Sequence, residues 1–232
     1  MPDYNAFPDL IDPEIIKRAS KFGSAELADG MKGLGIPNDG CLAYDVLPID
    51  EASRLCGTAA TVETQDGDNF PIHVAIYQAT EGYVLVIDGK NYKDRGYLGD
   101  LIGGAAKAVG VNGIVIDGLV RDRIGLKEMG LPVFSRGFQQ HGPSKIGPGR
   151  INTPIVCAGV PVKPGDLVLG DADGVTVVPR EHIEEVLAKA EEKEDYEKKR
   201  RVAIAEYERC KKEGLPLPQL APKWVLEMLD KQ

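Results

Sequence analysis

The sequence predicts an α/β fold: a layered core with at least some parallel strand pairing, followed by a long C-terminal helix. Three observations predict it. Apolar runs such as YVLVID (83–88) and GIVIDG (113–118) alternate with segments of helical spacing between residues 58 and 136, and strands that alternate with helices pack as a sheet between layers. The block INTPIVCAGVPVKPGDLVLGDADGVTVVP (151–179) carries short β-rich runs broken by PGD and DADG, which marks a local antiparallel unit. Beyond Pro179, REHIEEVLAKAEEKEDYEKKRRVAIAEYERCKK is free of Gly and Pro, and its good helix formers predict one helix of about 30 residues.

In chain order, PEIIKRASKF and SAELADGMKG have helical spacing over residues 13–32, with Ser24 as the expected cap of the second helix. TAATVET (58–64) is a strand, DGDN (66–69) a turn, and 71–79 a helix that Asn69 introduces. YVLVID (83–88) is the next strand, then a helix near 100–109, a strand at 113–118, a short helix at 123–129 and a strand PVFSR at 132–136. DADG (171–174) is read as a hairpin turn, because a calcium loop needs further spaced ligands. The long helix carries an apolar stripe through Ile183, Val186, Leu187 and Ala190 that thins afterwards, so its later turns are expected on another chain or in solvent. GLPLPQLAP breaks it, and KWVLEMLDKQ forms a final short helix with the only tryptophan, Trp224.

A chain of 232 residues is long enough for one substantial core with an appended element. A net charge of -8 argues against a nucleic-acid surface spread over the protein and favours small molecules or other proteins as partners. No apolar run approaches the roughly 20 residues that cross a bilayer, and the N-terminus lacks a secretory pattern, so a cytoplasmic location is expected. Cys41, Cys56, Cys157 and Cys210 form no Cys-x-x-Cys pair and are read as reduced thiols.

Chemistry concentrates in GDLIGGAAKAVGVNGIVIDGLVRD (99–122). Gly99 and Asp100 stand where a loop becomes a helix, and free N–H groups at a helix start attract a carboxylate or phosphate. Gly103, Gly104, Ala105 and Ala106 either admit a ligand or allow close helix packing; both readings stand on sequence alone. No nucleotide motif occurs here, so no nucleotide cofactor is expected. Arg121 and Asp122 follow a buried strand, and ligands of open α/β sheets gather at carboxyl ends of strands. They offer a cation for a carbonyl oxygen and a hard oxygen ligand for a cation. Asp117 is read as a backbone-bonded turn residue, and His73, His141 and His182 as structural, since they lack metal-ligand spacing.

The triplet Gly99-x-Leu101 followed after 19 residues by Arg121-Asp122 resembles the motif of the RraA-like family. The likeness runs from about Phe22 through TVETQDGDNFPIHVAI, VLVIDG, LPVFSRG and GVPVKPGDLVLGDADGVTVVP to the long helix. It implies a layered β/β/α, swivelling-domain-like core over 1–180 and a helical extension over 181–232 that packs on a neighbouring subunit of a homotrimer or homohexamer. Within the family the chain is similar to 4-hydroxy-4-methyl-2-oxoglutarate/4-carboxy-4-hydroxy-2-oxoadipate aldolases, which also decarboxylate oxaloacetate. The resemblance implies a small 2-oxo acid substrate and Mg²⁺ or Mn²⁺, with Asp122 as the protein ligand. Amides of Gly99, Asp100, Leu101 and Ile102 would hold the pyruvyl carboxylate, Arg121 the keto oxygen, and Asp100 a proton-carrying water. The partner subunit's Glu197 would reach the metal through water, with Glu194 as competitor. EYERCKKEGLPLPQ replaces the family's usual Gly-Glu-Leu-Gly-Leu segment. The regulator of ribonuclease E activity shares the fold, so a regulatory binding protein is the alternative expectation.

Overall fold

Residues 3–36 and 39–231 are described by the structure, a computed structural model. Contacts divide the chain into two units, Met1–Ala190 and Glu191–Gln232. In chain order the elements are β1 (Asp3–Tyr4), α1 (Pro13–Ala19), α2 (Ser24–Gly33), β2 (Leu47–Pro48), β3 (Leu55–Glu63), α3 (Phe70–Gln78), β4 (Tyr83–Gly96), α4 (Asp100–Ala108), β5 (Gly113–Leu119), α5 (Arg123–Met129) and β6 (Val133–Ser135). Then follow β7 (Arg150–Ile151), β8 (Ile155–Cys157), β9 (Val160–Val162), β10 (Leu167–Asp171), β11 (Gly174–Val178), a 3₁₀ turn (Arg180–His182), α6 (Ile183–Glu213) and α7 (Lys223–Leu229).

The first unit is built on the parallel set β3-β4-β5-β6. Antiparallel β7 and β10 border β3, and antiparallel β2 borders β6. Alternation along each central strand sends side chains to two cores. Leu85, Ile87, Ile114 and Ile116 meet Ile72 and Ile76 of α3, Ala106 of α4 and Leu126 of α5. Val84, Val86 and Val115 face the β8–β9 hairpin and β11. One sheet therefore carries a helical layer on one face and a β layer on the other, the expected β/β/α arrangement. A third cluster joins Leu27 and Met31 of α2 to Leu167, Leu169, Ile183, Val186 and Leu187.

The predicted stripe is buried throughout, at 4% exposure for Ile183 and 0% for Val186, Leu187 and Ala190. Burying a side chain of this size contributes roughly 1.5–3 kcal/mol, so the first turns of α6 belong to the core of the first unit. The division accordingly falls inside α6, at Ala190 rather than at residue 180. Ser24 does not cap α2: Gly23 occupies the cap, its N–H bonded to Glu26 Oε2 at 2.6 Å. Ser24 instead donates through Oγ to Asp171 Oδ1 at 2.7 Å, tying α2 to the DADG hairpin. The strand expected at 83–88 runs on to Gly96 past Lys90 and Asn91, whose positive φ values of 58° and 52° bend it.

The second unit holds the remainder of α6 and α7. Ion pairs along the helix surface join Lys198 to Glu194 at 2.9 Å and Arg201 to Glu197 at 2.7 Å. Arg200 Nη1 donates to Leu220 O at 2.9 Å, fixing the Pro-rich segment against the helix. All four cysteines are free thiols. Among the described residues no helix is long and apolar enough to cross a membrane.

Candidate active site

The buried apolar run of β5 continues into Val120, whose N–H donates to Gly137 O at 2.9 Å. The chain then pairs with the approach to α4: Tyr97 N–H donates to Leu119 O at 2.8 Å and Arg121 N–H to Leu98 O at 2.9 Å. These two bonds set the carboxyl end of β5 beside the first turn of α4. Asp122 adopts the left-handed conformation, φ 56° and ψ 46°, which costs a non-glycine residue energy but is tolerated best by Asp and Asn. Its carboxylate makes no capping bond to α5 although it stands at the N-cap. Oδ2 lies 3.3 Å from Arg121 Nε instead. Adjacent residues on a plain strand would point to opposite faces; the kink at Asp122 lets this cation and anion meet over Gly99. A Cβ built on Gly99 would collide with Asp122 Oδ2 and lie 3.1 Å from Arg121 Cγ. Glycine is required there by close approach, since its φ of -135° is ordinary extended backbone.

The first N–H of α4 to find a carbonyl in the helix is that of Gly103, which donates to Gly99 O at 2.9 Å. The amides before it are the group from which an anion cradle is expected. Leu101 N–H is met by Asp100 Oδ1 at 2.8 Å, and the Asp100 side chain rests against Gly125 of α5. The small residues that follow divide by role. A Cβ on Gly103 would press on Met129 Cε at 2.6 Å and Leu126 Cδ2 at 2.9 Å, so Gly103 serves packing of α4 on α5. Gly104 has open space around it.

Gly99, Asp100, Leu101, Ile102, Arg121 and Asp122 all line one cleft of about 230 Å³, a size for a small acid and not for a dinucleotide. Its other wall comes from Asn69 and His73, which the sequence reading takes as helix-entry and structural residues, and from a loop it does not single out. Asn69 stands at the N-cap of α3 but makes no side-chain capping bond; its Nδ2 donates to Tyr97 O at 2.8 Å, while Oδ1 is buried without a partner. His73 Nε2 is likewise buried and unpartnered, and burial, helped by the charge of Lys145, lowers the His73 pKa. Lys145, Gly142 and Pro143 complete the wall. The loop carrying them is pinned by the buried Asp68 carboxylate, which accepts from Ile146 N at 2.6 Å, Phe70 N at 2.9 Å, Ser144 Oγ at 2.9 Å and Gly147 N at 3.1 Å. Burial alone would raise the Asp68 pKa, but these donors outweigh it and hold the carboxyl below its ordinary range. Burial pushes the Tyr97 hydroxyl up to about 12, so it stays protonated and donates to Gly89 O at 2.6 Å.

Other residues singled out by sequence stand elsewhere. Asp117 is not a backbone turn residue: it accepts from Arg136 Nε at 2.5 Å and from Ala158 N at 2.8 Å, locking β5 to β6 and the β8–β9 hairpin. His141 and His182 lie on exposed segments. Glu197 and Glu194 belong to the second unit and pair with Arg201 and Lys198 on their own helix. Among the described residues no group of three or more His, Cys, Asp or Glu side chains is arranged for a metal ion. The cleft instead offers two carboxylates, Asp100 and Asp122, of which Asp122 stands in a kinked backbone beside a glycine that leaves it room. That donor fits a hard cation such as Mg²⁺, which keeps most of its waters.

Residues 24–177 match the RraA-like family, described as Aldolase/RraA. A Halalkalibacterium halodurans protein named "Putative 4-hydroxy-4-methyl-2-oxoglutarate aldolase" is 42% identical over 165 residues, covering 71% of this chain and 79% of that protein. Among solved structures, Streptomyces coelicolor RraAS2, described as an unusual member of the RNase ES inhibitor RraA protein family, superimposes with a TM-score of 0.76 at 28% identity. It covers 84% of this chain and 98% of its own. An uncharacterized Pseudomonas syringae protein gives a TM-score of 0.74 at 29% identity over 85% of this chain and 95% of its own.

Proposed function

This chain belongs to the RraA-like family, and from that premise we propose that it is a divalent-metal-dependent carbon–carbon lyase. It would release pyruvate from 4-hydroxy-2-oxo acids and, through the same enolate, decarboxylate oxaloacetate. One observation carries the reading: a guanidinium and a carboxylate in contact at 3.3 Å, set beside the first turn of α4 by a glycine that has no room for a side chain. A binding module needs no such arrangement. Asp122 would hold Mg²⁺ or Mn²⁺, with the partner subunit's Glu197 acting through water, and the ion would supply positive charge beside the 2-oxo oxygen.

The chain's own groups divide the remaining work. Amides at the start of α4 bind the pyruvyl carboxylate and fix the 2-oxo group toward Arg121. Asp100 positions a water that takes the proton of the C4 hydroxyl. As that proton leaves, the C3–C4 bond breaks, C4 becomes the carbonyl of the departing product, and the bond's electron pair moves to the enolate, whose oxygen Arg121 stabilises. The water returns a proton to C3, giving pyruvate. With oxaloacetate the same electron pair is released by loss of CO₂. No lysine Schiff base is required.

The second reading, a regulatory binding protein, rests on the superposition with RraAS2, and shared fold alone does not assign activity. A pyruvate-release assay with oxaloacetate and branched 4-hydroxy-2-oxo diacids, run with Mg²⁺ and with chelator, separates the two. Metal-dependent release that falls about 10²–10³-fold in Arg121→Ala, the usual cost of losing an oxyanion partner, supports the lyase. Absence of release from every substrate refutes it.

A further inference from the structure

One stretch of the cleft wall is held by a residue that stands outside the cleft. The Arg121 guanidinium is bounded at two points: Asp122 Oδ2 lies 3.3 Å from its Nε, and a Cβ built on Gly142 would lie 2.9 Å from its Nη1. Asp122 is well anchored, since its carbonyl accepts from Leu126 N at 3.0 Å. The other boundary is the pair Gly142-Pro143. Glycine has the widest backbone freedom and proline has no N–H to tie it down, while Asp68 grips this loop only from Ser144 onward. Among the described residues a single hydrogen bond reaches Gly142 or Pro143, from Arg95 Nη1 to Gly142 O at 2.6 Å.

Arg95 is itself set in place from two directions. It lies on the exposed end of β4, beyond the bend at Lys90 and Asn91, and its stem rests on Gly67, where an added Cβ would fall 2.6 Å from Arg95 Cδ. The strand beneath it is bonded to the same loop: Gly96 N–H donates to His141 O at 2.8 Å, and Gln139 Nε2 to Lys93 O at 3.3 Å. The side chain therefore bridges the turn before α3 and the loop that flanks Arg121.

We propose that Arg95 is a positioning residue of the site: by holding the Gly142 carbonyl it fixes the boundary against which the Arg121 guanidinium rests, and so sets where that cation points. Arg95 touches no reacting atom and acts through Arg121. The consequence for rate rests on the lyase reading; the placement of Arg121 does not.

Arg95→Met keeps the stem over Gly67 and removes the donor, whereas Arg95→Lys supplies one again. The bond is solvent-exposed, so the melting point of either variant should stay within about 4 °C of wild type. In the Mg²⁺-dependent oxaloacetate assay, Arg95→Met should lower kcat by about 10- to 100-fold, up to the cost of misplacing a group by about 1 Å, with KM within about twofold. Arg95→Lys should recover part of the loss. Placed on Arg121→Ala, Arg95→Met should cost nothing further, because no guanidinium is left to position. An unchanged kcat, or an equal loss in both backgrounds, overturns the proposal. Protein carrying isotopically labelled arginine gives a second reading that needs no turnover. The Arg121 Nε–H signal, assigned by its absence from Arg121→Lys, should shift and show faster side-chain motion in Arg95→Met; an unchanged signal overturns the proposal. Should the wild type release no pyruvate from any substrate, the lyase reading fails and the Arg121 signal alone decides the role of Arg95.

Discussion

Three glycines within six positions distinguish a ligand site from mere packing. Gly99→Ala places a methyl group where Asp122 Oδ2 sits and 3.1 Å from Arg121 Cγ. Both side chains are 40% exposed, so they can swing outward, and the cost to folding reduces to a weaker helix cap of about 1 kcal/mol or less. The pairing of guanidinium and carboxylate is lost, and pyruvate release should fall about 10²-fold or more. Gly103→Ala presses on Met129 and Leu126 instead. Overpacking of about 1–3 kcal/mol is offset in part by the better helix propensity of alanine, about 1 kcal/mol, so the melting point should drop while activity per folded molecule holds. Gly104→Ala meets nothing within 4 Å and should stabilise α4 by about 0.8–1 kcal/mol with no change in rate. Thermal melts and coupled pyruvate assays on the three variants suffice. A Gly99→Ala protein that turns over at the wild-type rate refutes the geometry on which the site is built.

Asp122→Asn keeps the shape and the left-handed backbone but removes the charge. Mg²⁺ affinity by calorimetry should weaken by more than about 10-fold, the lower bound seen when only an outer partner of a metal site is lost. Glu197→Gln should spare the melting point, because its pairing with Arg201 is a half-exposed i,i+4 contact worth about 0.5 kcal/mol or less. It should lower turnover only if light scattering finds the expected trimer or hexamer. Asp68→Asn faces several donors with an amide and should cost about 3 kcal/mol or more. The folded-state pKa of Asp68 lies below its unfolded value near 3.9, so this stabilisation is complete above about pH 4. It disappears as pH falls through the lower folded-state value. The gap between wild-type and variant melting points should therefore narrow in acid.

The elements and the near half of the site were legible because they depend on local pattern. Runs such as YVLVID and GIVIDG announce strands, and the spacing of Ile183, Val186, Leu187 and Ala190 announced the face of α6 that is buried. Gly99, Arg121 and Asp122 were visible as a helix start and a strand end. The far wall was not. Lys145 acquires its place from Asp68, which is bonded to a loop 76–79 positions away, and no window of sequence contains both. Asp117 was misread for the same reason: its partners Arg136 and Ala158 lie 19 and 41 positions on. Asn69 stood before a helix, where Asn ordinarily caps, but the carbonyl of Tyr97 claimed its amide.

The left-handed backbone at Asp122 narrows what drift can do at that position. Few residues other than Asn and Gly settle there without distortion, and both would preserve the architecture while extinguishing the charge. A descendant could shed its chemistry by one conservative-looking exchange and persist as a scaffold for binding other macromolecules, indistinguishable in outline from its ancestor. On the proposed lyase reading, the letter at this one place, more than any superposition, would separate a reactive copy from a silent one.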